Sequence, residues 1–278
     1  MPAMSQFKVT QLLTTDTVII RDVLCDGACR HQGPEERALE TQLVFPYRGI
    51  YIRHIGRDQA VADANHMLFF SADEAYQVSH PLDGGDASLA LVLPDPLLRE
   101  LVPPPLLNGQ TPLGFRRQQQ RIDPRAQALV ALLRHTLDSQ TIEPLEAESL
   151  SLTLVCRSLG PSTSHEPRGS HGRHRLVDRV KVLLASDLSR RWTLAEIAAE
   201  MGGSAVYLTQ VFRQVEGMPL YRYHLRLRLA CALDQITQYD DLSALAADLG
   251  FSSHAHFAAA FRQTYGRSPT EFKQSAQS

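Results

Sequence analysis

With 278 residues the chain exceeds the usual size of a single domain, so two compact domains are expected, each burying its own core. Its 44% hydrophobic and 21% charged residues match a soluble globular protein, and no uninterrupted apolar run approaches the ~20 residues of a membrane span, which excludes a membrane protein. The net charge of −2 hides a change of sign: residues 1–172 carry 15 Lys and Arg against 20 Asp and Glu, whereas residues 173–278 carry 13 against 10, a basic end suited to a polyanion.

Residues 1–10 show no basic start followed by an apolar stretch and a small-residue cleavage site, so no secretory signal is expected and a cytoplasmic protein is inferred. Cys25, Cys29, Cys156 and Cys231 are too sparse for a disulfide-stapled domain, and reduced thiols follow. From residue 7 to about 100, short alternating or β-branched runs such as 17–20, 49–52 and 89–93 are separated by turn residues and predict a small barrel or sandwich. Asp83, Gly84, Gly85 and Asp86 form a tight-turn signal between residues 76–80 and the run from Leu89, as consecutive antiparallel strands require. From Ile122 the period changes: Ile122, Leu129, Leu133 and Leu137 share one face, then Leu145, Leu152, Val155 and Leu159 follow Pro144, which predicts two amphipathic helices. Residues 160–172 offer no apolar side chain to bury and read as a flexible tether. The expected division is 1–159, with its helical segment at about 122–159, then the tether at 160–172 and an all-α domain at 173–278, an α+β chain overall.

Everything from Leu176 onward reads as helix and contains a repeat. Ile197, Ala198, Ala199, Glu200, Met201 and Gly202 return 48 residues later as Leu245, Ala246, Ala247, Asp248, Leu249 and Gly250. Phe212, Arg213, Gln214 and Gly217 return 49 residues later as Phe261, Arg262, Gln263 and Gly266. Each copy has the form of a short helix, a glycine turn and a second helix, the helix-turn-helix. Thr193 with Glu196, and Ser268 with Glu271, are capping boxes, and Gly202 and Gly250 stand where the turn favours a positive φ. Between the copies, residues 219–237 predict a helix of about 19 residues, hence ~28 Å, near the roughly 34–36 Å between successive major-groove faces. Leu220, Tyr223, Leu227, Ala230 and Leu233 form its buried stripe, while Arg222, Arg226 and Arg228 flank it, either as a solvated face or turned to phosphates.

From about Leu176 to Lys273 these residues resemble the AraC family of bacterial transcription regulators, most specifically in Gly250, Phe251, Ser252, Ser253, His254, Ala255, His256 and Phe257, continued by Phe261, Arg262, Gln263, Gly266, Ser268, Pro269 and Phe272. The resemblance implies that the second helix of the first copy reads bases in the major groove and that its counterpart binds the next groove face less specifically. It places Ala205, Val206, Thr209 and Gln210 toward bases with Arg213 near the backbone, then His254, Ala255, His256, Ala258 and Ala259 with Arg262 near the backbone; Ser204, Tyr207, Ser253 and Arg267 complete the DNA-binding set. The chain departs from the family at Gln210 and Ala259, where arginine is common and pairs bidentately with guanine. Gln210 suits adenine instead, Ala205 and Val206 suit thymine methyls, and the alanine-rich second face suits phosphate docking. His254 and His256 have two readings, DNA contact or a bond to the capping turn.

The front half resembles the cupin-like sensing domain of that family, which implies a small-molecule effector, whose binding residues the sequence does not identify, and helices that pair two subunits. Leu129, Leu133 and Leu152 are the pairing candidates, with packing inside one subunit as the alternative. Cys25, Cys29 and His31 form C-x3-C-x-H, read as zinc ligands, as a thiol sensor or as ordinary buried cysteines. A metal-dependent cupin enzyme is the competing class, but its His-x-His pair is absent, and His54, His66 and His80 stand singly. The expectation is therefore a regulator, in the activating mode common in the family, with no enzymatic activity and no cofactor. Its expected partners are double-stranded promoter DNA, RNA polymerase, an effector and a second copy of the chain.

Overall fold

The computed structural model describes residues 7–109, 113–160 and 169–277; residues 161–168 of the expected tether lie outside them. The chain divides into two compact units, Met1–Ser164 with Gln274–Ser278, and His165–Lys273. Among the described residues no helix is long and apolar enough to cross a membrane, and no disulfide joins the cysteines.

The front unit is built on two antiparallel sheets. Strands β1 (Phe7–Thr14), β2 (Ile19–Cys25), β4 (Gln42–Gly49), β7 (His66–Phe70), β9 (Asp86–Val92) and β10 (Gln119–Arg121) form one, in the order β1-β2-β9-β4-β7-β10. The other runs β3-β8-β5-β6, from β3 (Glu36–Arg37), β5 (Tyr51–Ile55), β6 (Asp58–Ala62) and β8 (Ala75–Ser79). The period-2 alternation of a strand explains why the central runs are apolar on both faces. On β4 and β9, Leu43, Phe45, Leu89 and Leu91 face a layer of helices, α1 (Asp95–Leu101), α2 (Pro124–Asp138) and α3 (Pro144–Leu159), whereas Val44 and Ala90 face the second sheet. Burying each such large apolar side chain contributes about 1.5–3 kcal/mol.

Three expectations change here. The strands either side of Gly84 and Gly85 follow each other in the chain but do not pair: β8 joins β3 and β5, while β9 joins β2 and β4. Both glycines have positive φ, +98 and +68, and the turn carries the chain from one sheet to the other. The run at 49–52 likewise splits at Ile50 between β4 and β5. The pairing candidate Leu133 is fully buried in its own unit's core, so it has no surface to offer a partner; Leu129 and Leu152 are half-buried against that core.

The second unit is all helix: α4 (His171–Ser186), α5 (Leu194–Met201), α6 (Ala205–Glu216), α7 (Leu220–Gln235), α8 (Leu242–Asp248), α9 (His254–Tyr265) and the start, through Lys273, of α10 (Pro269–Gln277). Helix α4 starts at His171, so His171 and Gly172 are helical rather than part of a tether. Val177, Val180 and Leu184 of α4 pack with Ile197 of α5, Val211 and Phe212 of α6 and Tyr223 of α7. In the second repeat, a chain of rings forms the centre, with Phe257 to Phe261 at 5.7 Å and Phe261 to Tyr265 at 4.7 Å. Helix α7 has 16 residues, shorter than expected, because Pro219 is an extended N-cap at ψ 145 and residues 236–238 form a turn. Its length is ~24 Å.

Candidate nucleic-acid interface

The two helix pairs are locked by equivalent local chemistry. The Thr193 side chain accepts from the Glu196 N–H while Glu196 accepts from the Thr193 N–H, the reciprocal box that satisfies the first orphan donors of α5. The Thr193 hydroxyl and N–H, both donating to it, and the Arg190 guanidinium hold the Glu196 carboxyl down at about 2. Helix α5 ends on Gly202, and Ser204 then caps α6 by accepting the Tyr207 N–H at 3.2 Å. In the second repeat Asp241 caps α8 and Ser253 caps α9, accepting the His256 N–H at 3.1 Å. Both second helices end on a left-handed glycine, Gly217 and Gly266, whose N–H bonds the carbonyl of Arg213 and of Arg262 respectively.

This scaffold turns the sequence-derived positions outward. On α6, Leu208, Val211 and Phe212 are buried, so Val206 (67% exposed), Tyr207, Gln210 and Arg213 lie on the opposite side, with Ala205 and Thr209 half-buried at its edge. On α9, Phe257, Ala260 and Phe261 are buried, which leaves His254, Ala255, His256, Ala259 and Arg262 exposed and Ala258 at the edge. Ser204, Ser253 and Arg267 are exposed as well. The predicted set is thus two solvent-facing surfaces at matching places in the two repeats.

Hydrogen bonding narrows what some of these groups offer. The Thr209 hydroxyl donates to the Val206 carbonyl at 2.9 Å, leaving its oxygen as an acceptor. His256 Nδ1 lies 3.0 Å from Ser252 Oγ, a bond to the capping turn made by a ring that is otherwise exposed. Arg228, one of three arginines expected to flank the rod, is turned inward: its guanidinium donates to the carbonyls of Leu188, Ser189 and Arg190, the last at 2.7 Å. Those carbonyls follow the end of α4, so Arg228 closes that loop, and burial lowers its pKa. Burial also lowers His224 to about 4, and the neighbouring Arg228 charge adds to this, so the His224 ring beside this loop is neutral. Arg222 is exposed and Arg226 half-buried. Sequence periodicity gave no sign of the inward turn, because the loop that attracts Arg228 lies far along the chain.

In the front unit a cavity of about 280 Å³ lies between the sheets, lined by apolar Val23, Val44, Phe70 and Val78 and by polar His80, Asp86 and Ser88. The expected grouping of Cys25, Cys29 and His31 is not formed. Cys25 stands instead with His80 and Asp86, their ligating atoms all within 4.8 Å of one another, and this is the cluster of three potential metal ligands among the described residues. His31 is exposed and Cys29 half-buried, with the Cys29 carbonyl accepting the His80 N–H. Burial opposes charging His80, but the Asp86 carboxylate and the Cys25 thiol push its pKa up to about 10.

Residues 197–275 match a family model described as a helix-turn-helix domain. The chain is 30% identical over 100 residues to the HTH-type transcriptional activator AarP of Providencia stuartii, across 35% of this chain and 73% of that protein. It is 28% identical over 179 residues to the probable transcriptional regulator LumQ of Photobacterium leiognathi, across 61% of this chain and 68% of that protein. To the HTH-type transcriptional activator RhaR of Klebsiella pneumoniae it is 32% identical over 104 residues, and the match spans only 37% of each chain.

Proposed function

The chain belongs to the AraC family of transcription regulators and is a DNA-binding regulator of transcription; we propose that α6 and α9 enter successive faces of the major groove of promoter DNA, with α6 setting the base preference. The observation that carries this reading is the pair of capped helices with outward faces in the same register. Their chemistry differs. Helix α6 presents the amide of Gln210 beside Val206, whereas α9 presents Ala255 and Ala259, which sense at most a thymine methyl. Base discrimination of about 1–3 kcal/mol per good bidentate contact therefore belongs to Gln210, and Arg262 belongs to the phosphates.

Gln210→Ala is expected to relax the preference at one operator position. Arg262→Ala is expected to weaken all sites alike and to reduce the salt slope by about one. Selection from randomised duplexes, with affinities repeated across salt concentrations, measures both. An unchanged preference in the Gln210 variant, or a base-specific loss in the Arg262 variant, overturns the assignment.

The cavity between the sheets is the proposed seat of a small effector, its apolar Val23, Val44, Phe70 and Val78 standing among polar and charged groups such as Arg21, Glu36, Arg37 and Glu40 that could fix the orientation of a ligand. Activation through RNA polymerase is the proposed output, in line with two relatives named activators. Homodimerisation is assigned to α3, where Leu145 (75% exposed), Leu152 and Cys156 fall on one stripe. The full chain is expected to sediment as a dimer and the Leu145→Asp, Leu152→Asp double variant as a monomer. An unaltered subunit number in the variant would remove α3 from the interface.

A further inference from the structure

Three side chains with metal-ligating atoms meet at one end of the front cavity: Cys25 closes β2, His80 follows β8 and Asp86 opens β9. A close backbone approach brings them together. A Cβ on Gly85 would lie 2.1 Å from the Cys25 carbonyl oxygen, so only glycine lets the turn between the sheets press against the end of β2. His80 is 1% exposed; its Nε2 donates to Asp86 Oδ2 at 2.7 Å, and the Cys25 thiol is its other interacting neighbour in the cluster.

We propose that Cys25, His80 and Asp86 bind a divalent transition metal of the zinc type, leaving one coordination position open to the cavity. Thiolate, imidazole and carboxylate are the donor set zinc takes, and three protein ligands with a fourth exchangeable position is the arrangement of an open site. With metal–ligand bonds of about 2.0–2.3 Å, tetrahedral donors sit roughly 3.3–3.6 Å apart, so the observed cluster reaches that geometry by side-chain movements of about an ångström. The charges balance, since a thiolate and a carboxylate neutralise a dication. The thiol proton and the ring proton on the ligating nitrogen leave to solvent as the metal enters. His80 and Asp86 line the cavity, so the fourth ligand is water or an oxygen or sulfur donor of a small molecule held there. That last step rests on the effector reading above; the metal site does not.

The test uses the full chain, reduced and stripped of metal, without DNA or effector, so its outcome is independent of the DNA-binding assignment. Titration with Co²⁺ alone is expected to saturate at one equivalent, with a thiolate-to-cobalt charge-transfer band in the near ultraviolet that Zn²⁺ then abolishes. Cys25→Ser should remove the band, Asp86→Asn should weaken binding about 10–100-fold, and Cys29→Ser should change neither. As a check independent of the spectrum, Zn²⁺ should raise the melting temperature of the wild type and of Cys29→Ser but not of Cys25→Ser. Absence of saturable Co²⁺ binding, a band that survives in Cys25→Ser, or a band lost in Cys29→Ser overturns the proposal.

Discussion

Gly250→Ala is expected to destabilise the second unit by about 2–5 kcal/mol and with it to abolish specific DNA binding, whereas Gly202→Ala at the same place in the first repeat is expected to cost only about 1–2 kcal/mol. The two glycines share a left-handed conformation, with φ of +74 and +73, so an added Cβ pays the same conformational penalty in both. They differ in what surrounds them. A Cβ on Gly250 would lie 2.0 Å from the Ser189 carbonyl oxygen and 2.7 Å from the carbon that bears it, while at Gly202 it would meet nothing within 4 Å. The atoms struck at Gly250 belong to backbone, which cannot rotate away as a side-chain tip would. Ser189 is also one of the carbonyls that Arg228 grips, so moving it loosens the loop after α4. Urea unfolding of the two variants separates conformational strain from close approach. Equal losses of stability would show that the approach to Ser189 contributes nothing.

This contrast also shows which parts of the molecule are legible in a sequence. Caps and turns act over a few residues, so Thr193 with Glu196, Ser268 with Glu271 and the four helix-ending or turn glycines announced the repeat, and the repeat in turn fixed which side of α6 and α9 is buried. Front-unit strands were legible as runs, because alternation is local. Their allocation to sheets was not: whether a Gly-Gly turn makes a hairpin or a corner depends on what the flanking strands pair with, and β2, β4 and β5 lie elsewhere in the chain. The same limit explains Cys25, whose neighbours in sequence, Cys29 and His31, suggested a site, while its neighbours in space are His80 and Asp86. Arg53 is the extreme case. Alone in its strand it reads as a solvated charge, yet it is wholly buried, donating to the Phe69 carbonyl at 2.7 Å and paired with Glu74 while its guanidinium stacks 3.8 Å above Phe70.

Breaking the Lys181–Glu216 pair is expected to cost about 3–5 kcal/mol from either side, while replacing both partners by apolar residues restores most of that loss. Lys181 of α4 and Glu216 at the end of α6 are 1% and 5% exposed, with Nζ 2.5 Å from Oε1 and the ammonium 5.8 Å above the Tyr223 ring. Removing one charge leaves the other almost wholly buried, where its desolvation is no longer offset by the opposite charge. Removing both leaves packed hydrocarbon and no stranded charge. The pair matters to function because it ties α6, the proposed base-reading helix, to the helix behind it, and a loosened α6 presents Gln210 and Arg213 in no fixed register. Unfolding of Lys181→Met, Glu216→Leu and the double variant forms a double-mutant cycle, and operator affinity measured in parallel should fall in the single variants and recover in the double. Losses below about 1 kcal/mol in the singles, or a double variant that loses the sum of both, would mean that the ion pair is worth no more than one on the surface.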